Sequence, residues 1–112
     1  MQTVVETPAY LGDAERLFTR EERGAVIDMV AADPHCGVVI PGSGGVRKVR
    51  VGLAGRGKRG GARVIYLFGG DDVPVFLLAA FAKNEKSDLT AAERNTLAKS
   101  VAAMLDNYRR HT

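Results

Sequence analysis

Lys48, Arg50 and Arg63 are the side chains of this sequence whose types and spacing suit work on a phosphate. Lys48 and Arg50 stand two residues apart in "VRKVRVGL", so on a strand they share one face while Val49, Val51 and Leu53 turn the other way. Arg63 interrupts the next apolar run, "ARVIYLF". Clustered ammonium and guanidinium groups hold phosphate oxygens by charge-assisted hydrogen bonds. They also suit one reaction. When the 2′-hydroxyl of RNA attacks the adjacent phosphate, the transition state gathers negative charge, and positioned cations offset it. Lys48 could then act as a base, or as a charge that favours the 2′-alkoxide. There is no histidine pair for conventional acid–base work. No acidic pair lies nearby to hold magnesium, so a two-metal nuclease is not expected, and neither is any cofactor.

The setting of these residues is unusual. "GSGGVRKVRVGLAGRGKRGGARVIY", residues 42–66, holds seven positive side chains, eight glycines and no carboxylate. The acid-free zone extends over residues 34–70, and all thirteen acids lie outside it. The net charge of +3 therefore hides a basic centre in a nearly neutral frame. A polyanion such as nucleic acid is the partner this asymmetry fits, against the plainer reading of a solvated surface. Arg47 adds to the strand, and Arg56, Lys58 and Arg59 extend from a glycine-rich loop that lets backbone approach a ligand. Base stacking has few candidates. Tyr66 differs in parity from Arg63 and is expected in the core.

The elements that must position these groups follow from periodicity and punctuation. Residues 3–7 read as a short strand ended by Pro8, with Asp13 a cap for the helix that follows. "TREERGAVIDMVAADP" is a helix capped by Thr19 with Glu22 three residues on, carrying a Val26, Ile27, Val30 stripe and stopped by Pro34. "HCGVVIPGSGG" reads as loop, "AGRGKRGG" as a hairpin loop, and "ARVIYLFGG" and "VPVFLLAAFAK" as apolar strands. Thr90 and Glu93 repeat the capping-box spacing before a helix with a Leu97, Val101, Met104, Leu105, Tyr108 stripe. The order β-α-α-β-β-β-α predicts a single α+β domain over residues 1–112. In it, a small antiparallel meander has its helices on one face and its basic side chains on the other. Cys36 alone permits no internal disulfide, and His35 beside it makes no metal site. The start "MQTVVETPAYLGD" lacks the basic and apolar regions of a signal peptide, and no apolar run reaches the roughly 18–20 residues of a membrane span. A cytoplasmic location is expected.

Three motifs carry a resemblance. "GSGGVRKVR" at 42–50, "KRGGARVIY" at 58–66 and "KNEKSDL" at 83–89 occur in order, and the chain resembles the RelE/HigB superfamily of toxins from bacterial toxin–antitoxin pairs, in its HigB-type branch. The resemblance implies a RelE-like fold and a ribosome-dependent, metal-free mRNA endonuclease that inhibits translation by cleaving the message in the ribosomal A site. It implies that Lys48 and Arg50 position and activate the 2′-hydroxyl, that Arg63 stabilises transition-state charge, and that Lys83 and Asn84 occupy the place of a basic pair after the last strand. Many relatives have arginine where Asn84 stands, and RelE-type relatives carry a catalytic tyrosine where "SDLT" offers Thr90. The general acid and base are therefore open among Lys48, Lys58, Arg59 and Lys83. The implied partners are the ribosome, mRNA and a small helix-turn-helix antitoxin, through which operator DNA is reached. Two other readings keep the same charge: a non-catalytic RNA- or ribosome-binding module, and a degenerate toxin acting as co-repressor with its antitoxin.

Overall fold

The computed structural model describes residues 2–53, 61–86 and 88–111. The chain runs β1 (Val4–Glu6), α1 (Pro8–Leu17), α2 (Arg20–Ala32), β2 (Val38–Val39), β3 (Val46–Val51), β4 (Ala62–Leu67), β5 (Val75–Ala82) and α3 (Ala91–Arg110). The strands form one sheet in the order β1-β5-β4-β3-β2. Strands β2 to β5 pair antiparallel, and β1 joins the edge parallel to β5. The expected α+β class and element order stand, with one strand added. Val38 and Val39, in a stretch expected to be loop, pair with Lys48 and Arg47. Two residues are too few for alternation to mark a strand.

Local chemistry explains the helix ends. Thr7 caps α1, accepting from the Tyr10 N–H at 3.3 Å, and Pro8 takes the first helical position. Pro8 thus opens the helix, and Asp13, expected to cap it, sits inside it. The Asp13 carboxylate serves β5 instead, accepting from the Ala80 N–H at 3.0 Å. The reason is a difference in length: β1 has three residues and β5 eight, so the β5 edge beyond β1 needs another acceptor. Both expected capping boxes form, Thr19 with Glu22 and Thr90 with Glu93.

Side-chain alternation divides the sheet into two cores. On one face Tyr10, Ala14, Leu17, Val26 and Val30 of α1 and α2 pack on Val64, Tyr66, Val75 and Leu77. On the other face Leu97, Val101, Met104, Leu105 and Tyr108 of α3 pack on Val46, Ile65, Leu67 and Phe76. The helices therefore do not share one face as expected. The apolar runs at residues 64–67 of β4 and 75–82 of β5 are what a sheet covered on both sides requires. The pairing of β4 with β5 shifts between Ile65 and Tyr66, with Ile65 opposite Ala79 and Tyr66 opposite Leu77. This bulge changes parity along β5 and brings Phe81 beside Arg63. Gly61, with φ +59°, opens β4; a side-chain carbon there would press into the Val51 carbonyl.

Two buried tyrosines differ in their polar partners. Tyr66, fully buried as expected, donates to the Pro34 carbonyl at 2.8 Å and accepts from the Gly37 N–H at 2.8 Å. The Tyr10 hydroxyl, also buried, finds no hydrogen-bond partner among the described residues, and burial pushes its pKa up to about 12. Removing the Tyr66 hydroxyl strands a buried N–H, whereas removing that of Tyr10 relieves an unsatisfied group. Tyr66→Phe is expected to cost about 1–3 kcal/mol in denaturant unfolding, while Tyr10→Phe leaves stability unchanged or raised. Equal losses from the two replacements would show that the Tyr66 bonds do not hold the turn at Pro34–Gly37.

Candidate nucleic-acid interface

Strands β3 and β4 place the three cations together. Lys48 and Arg50 stand on the α3 face of β3, and Arg50 lies directly opposite Arg63 on β4. Arg63 in turn lies opposite Phe81 of β5. Like charges facing each other across strands are destabilising unless an anion comes between them. Helix α3 covers the Val46–Leu67 end of this face and leaves the Arg50–Arg63 end clear of its apolar stripe. Arg50 is exposed, Lys48 and Arg63 are half-buried, and the Arg63 guanidinium donates to the Ala62 carbonyl at 3.3 Å.

The segment joining β5 to α3 borders the cluster. The Lys83 N–H donates to the Gly61 carbonyl at 3.0 Å, which docks Lys83 beside the start of β4. Asn84 is exposed in the turn that the Glu85 and Lys86 N–H groups close on the Ala82 carbonyl. Glu85 reaches back to Arg16 of α1 at 3.2 Å, and Lys86 pairs with Glu93 above the Phe81 ring. Thr90 is committed to capping: its hydroxyl accepts from the Glu93 N–H at 3.1 Å.

Asp88 reads in the sequence as a cap or turn residue, and its partnership with Lys48 is what the sequence does not announce. The Lys48 ammonium donates to its carboxylate at 2.7 Å, and the other carboxylate oxygen accepts from the Leu89 N–H at 2.8 Å. Lys48, first of all, and then the Leu89 N–H hold the Asp88 carboxyl below the usual carboxylate range. Asp88 also stands two residues before the cap of α3, at the positive end of the helix. The partners are forty residues apart, and no local pattern announces such a pair. Beside them a cleft of about 530 Å³ is lined by Val38, Val39, Ile40, Pro41, Lys48, Asp88 and Arg94.

Other expected residues are placed differently. Arg47 points to the face of α1 and α2, where its guanidinium donates to the Gly37 carbonyl at 2.8 Å, so it does not join the cluster. Arg56, Lys58 and Arg59 lie outside the described residues. His35 packs edge-on against Phe68, and Cys36 lies 3.6 Å from the Tyr66 hydroxyl, away from the cationic face. Among the described residues no group of three His, Cys, Asp or Glu converges as metal ligands would, and no helix is long and apolar enough to cross a membrane.

Fold and site together define a small α+β domain with a cationic patch on its sheet. Residues 41–112 match the family model of the RelE toxin of the RelE/RelB toxin–antitoxin system. The chain belongs to this family of toxins. Among solved structures, a double arginine-to-alanine mutant of the E. coli toxin RelE in the free state is similar at a TM-score of 0.56 and 17% sequence identity, over 77% of this chain and 87% of that one. At that identity the likeness is one of fold.

The Lys48–Asp88 pair has a testable pH signature. A carboxyl with a depressed folded-state pKa adds stability above its unfolded pKa of about 3.9, and loses it as pH falls through the depressed value. The Asp88 carboxyl carbon, followed by NMR, should titrate below an ordinary aspartate, and Lys48→Met should return it upward. An Asp88 midpoint indifferent to Lys48→Met would dissolve the pair in solution.

Proposed function

We propose that the chain is a ribosome-dependent mRNA endonuclease that inhibits translation, working without a metal by 2′-hydroxyl transesterification. The observation that carries this reading is the convergence of Lys48, Arg50 and Arg63 on one clear end of the sheet, with the two arginines directly opposed. In the reaction the 2′-oxygen bonds to phosphorus and the bond from phosphorus to the 5′-oxygen breaks, leaving a 2′,3′-cyclic phosphate and a 5′-hydroxyl. Arg50 and Arg63 take the phosphate between them and offset the charge that grows on its non-bridging oxygens. Lys48, ion-paired in the free protein, acts by charge, favouring the 2′-alkoxide once RNA replaces Asp88. The 2′-proton passes to water. Lys83, docked at the start of β4, serves the leaving 5′-oxygen, which gains a proton as it departs. The ribosome supplies the remaining grip on the message, which suits a face whose one nearby ring, Phe81, is already covered by Lys86. A cognate antitoxin, of the helix-turn-helix kind, completes the pair and carries it to operator DNA. The setting is the cytoplasm.

A second reading, an RNA- or ribosome-binding module without catalysis, draws support from Thr90. Its hydroxyl is occupied in the helix cap at the position where related toxins have a catalytic tyrosine.

Controlled induction in bacteria, with primer extension of a translated reporter and of a matched reporter lacking a start codon, separates the two. The enzyme reading expects cuts within translated codons and none in the control. Arg63→Ala should abolish the cuts and the growth arrest while the protein stays folded, with a loss in rate of about 10²–10³ as for other groups that stabilise transition-state charge. Undiminished cutting by a folded Arg63→Ala protein would remove Arg63 from the catalytic set. An absence of cuts from abundant, folded wild-type protein would leave the binding reading.

A further inference from the structure

The cleft between β2 and the start of α3 has features that phosphate-gripping alone does not require. Val38 is 69% exposed, more than any other large apolar side chain among the described residues, and it stands directly across from Lys48 in the β2–β3 pairing. Pro41 and the small exposed part of Ile40 add to the apolar lining, and Arg94 also lines the cleft. The volume of about 530 Å³ is within the range of small-molecule sites. An apolar wall beside a lysine and an arginine matches a flat base joined to a phosphate. Any base has an apolar face to lay against such a wall, so the fit is to nucleotides as a class.

We infer that this cleft is a nucleotide subsite, and that in the free protein Asp88 occupies its phosphate seat. One nucleotide of the RNA strand lays its base against Val38 and Pro41. Its phosphate takes the Lys48 ammonium from Asp88, with Arg94 balancing the charge of the displaced carboxylate. The inference rests on the proposal that RNA is the ligand of this face, and it adds where a base is held and what must leave first.

The test uses the purified full chain with 5′-ribonucleoside monophosphates and inorganic phosphate as probes, followed by calorimetry and by the NMR shifts of the Val38 methyls and Arg94. A mononucleotide should bind about tenfold more tightly than inorganic phosphate and shift both residues, since the base adds apolar contact. Val38→Ser should erase that advantage while leaving phosphate affinity unchanged. Asp88→Asn keeps the acceptor for Leu89 and should strengthen both probes about two- to fivefold, the range an exposed ion pair spans. Equal affinity for nucleotide and phosphate, or an advantage untouched by Val38→Ser, would overturn the base site. Unchanged binding by Asp88→Asn would overturn the displacement. Codon-dependent cutting in the primer-extension experiment is independent of these results, so the subsite can fail while the enzyme reading stands, and the reverse.

Discussion

The pairing of β3 with β4 sets Arg50 against Arg63, and it is held by apolar partners on both sides of the sheet. Val46 meets Leu67 under α3, while Val49 meets Val64 and Val51 meets Ala62 under α1 and α2. A slip of one residue would turn Lys48 and Arg50 into the core that Val49 and Val51 help to fill, so the register admits little choice. The energy of apolar burial thus holds together charges that would otherwise separate. The two cores serve the site by clamping one pair of strands from both sides.

The Lys48–Asp88 contact offsets part of that concentration of charge. Asp88 comes from the segment between β5 and α3, the same segment that Glu85 ties to Arg16 and Lys86 ties to Glu93. Each of these ion pairs is at least partly exposed and individually weak. Together they hold a short connection across the edge of the cationic patch. A carboxylate lent from a neighbouring segment lowers the repulsion within the cluster.

Much of this arrangement was legible in the sequence because it is written in short-range patterns. The Lys48–Arg50 spacing, the two capping boxes and the Tyr66 parity each involve residues a few positions apart, and each took the form expected of it. What escaped has a common cause in long-range partnership. Asp13 resembles a cap until β5 is seen to need an acceptor for Ala80, sixty-seven residues away. Arg47 resembles one more phosphate contact until the Gly37 carbonyl is found beneath it. The placement of α3 on the second face was signalled by the apolar runs at residues 64–67 of β4 and 75–82 of β5, which alternation with a solvated face would have broken. Val38 left no such trace, because it belongs to a strand of two residues, and Asp88 could be read as a cap or turn residue but not as the partner of Lys48, forty residues away.

The family match begins at residue 41, yet a third of the buried apolar residues among those described come from before that point. Tyr10, Ala14, Leu17, Phe18, Val26 and Val30 roof the sheet over Val64, Tyr66 and Leu77, and the third strand of the central trio, β5, has β1 as its outer neighbour. A gene fragment trimmed to the matched boundary would encode Lys48, Arg50 and Arg63 and still leave one apolar face of the sheet bare and the β5 edge open, prone to stack on its own kind. Domain limits drawn by sequence likeness and the limits of the packed unit are different things here, since the recognisable part lacks the helices that cover one face of its own sheet.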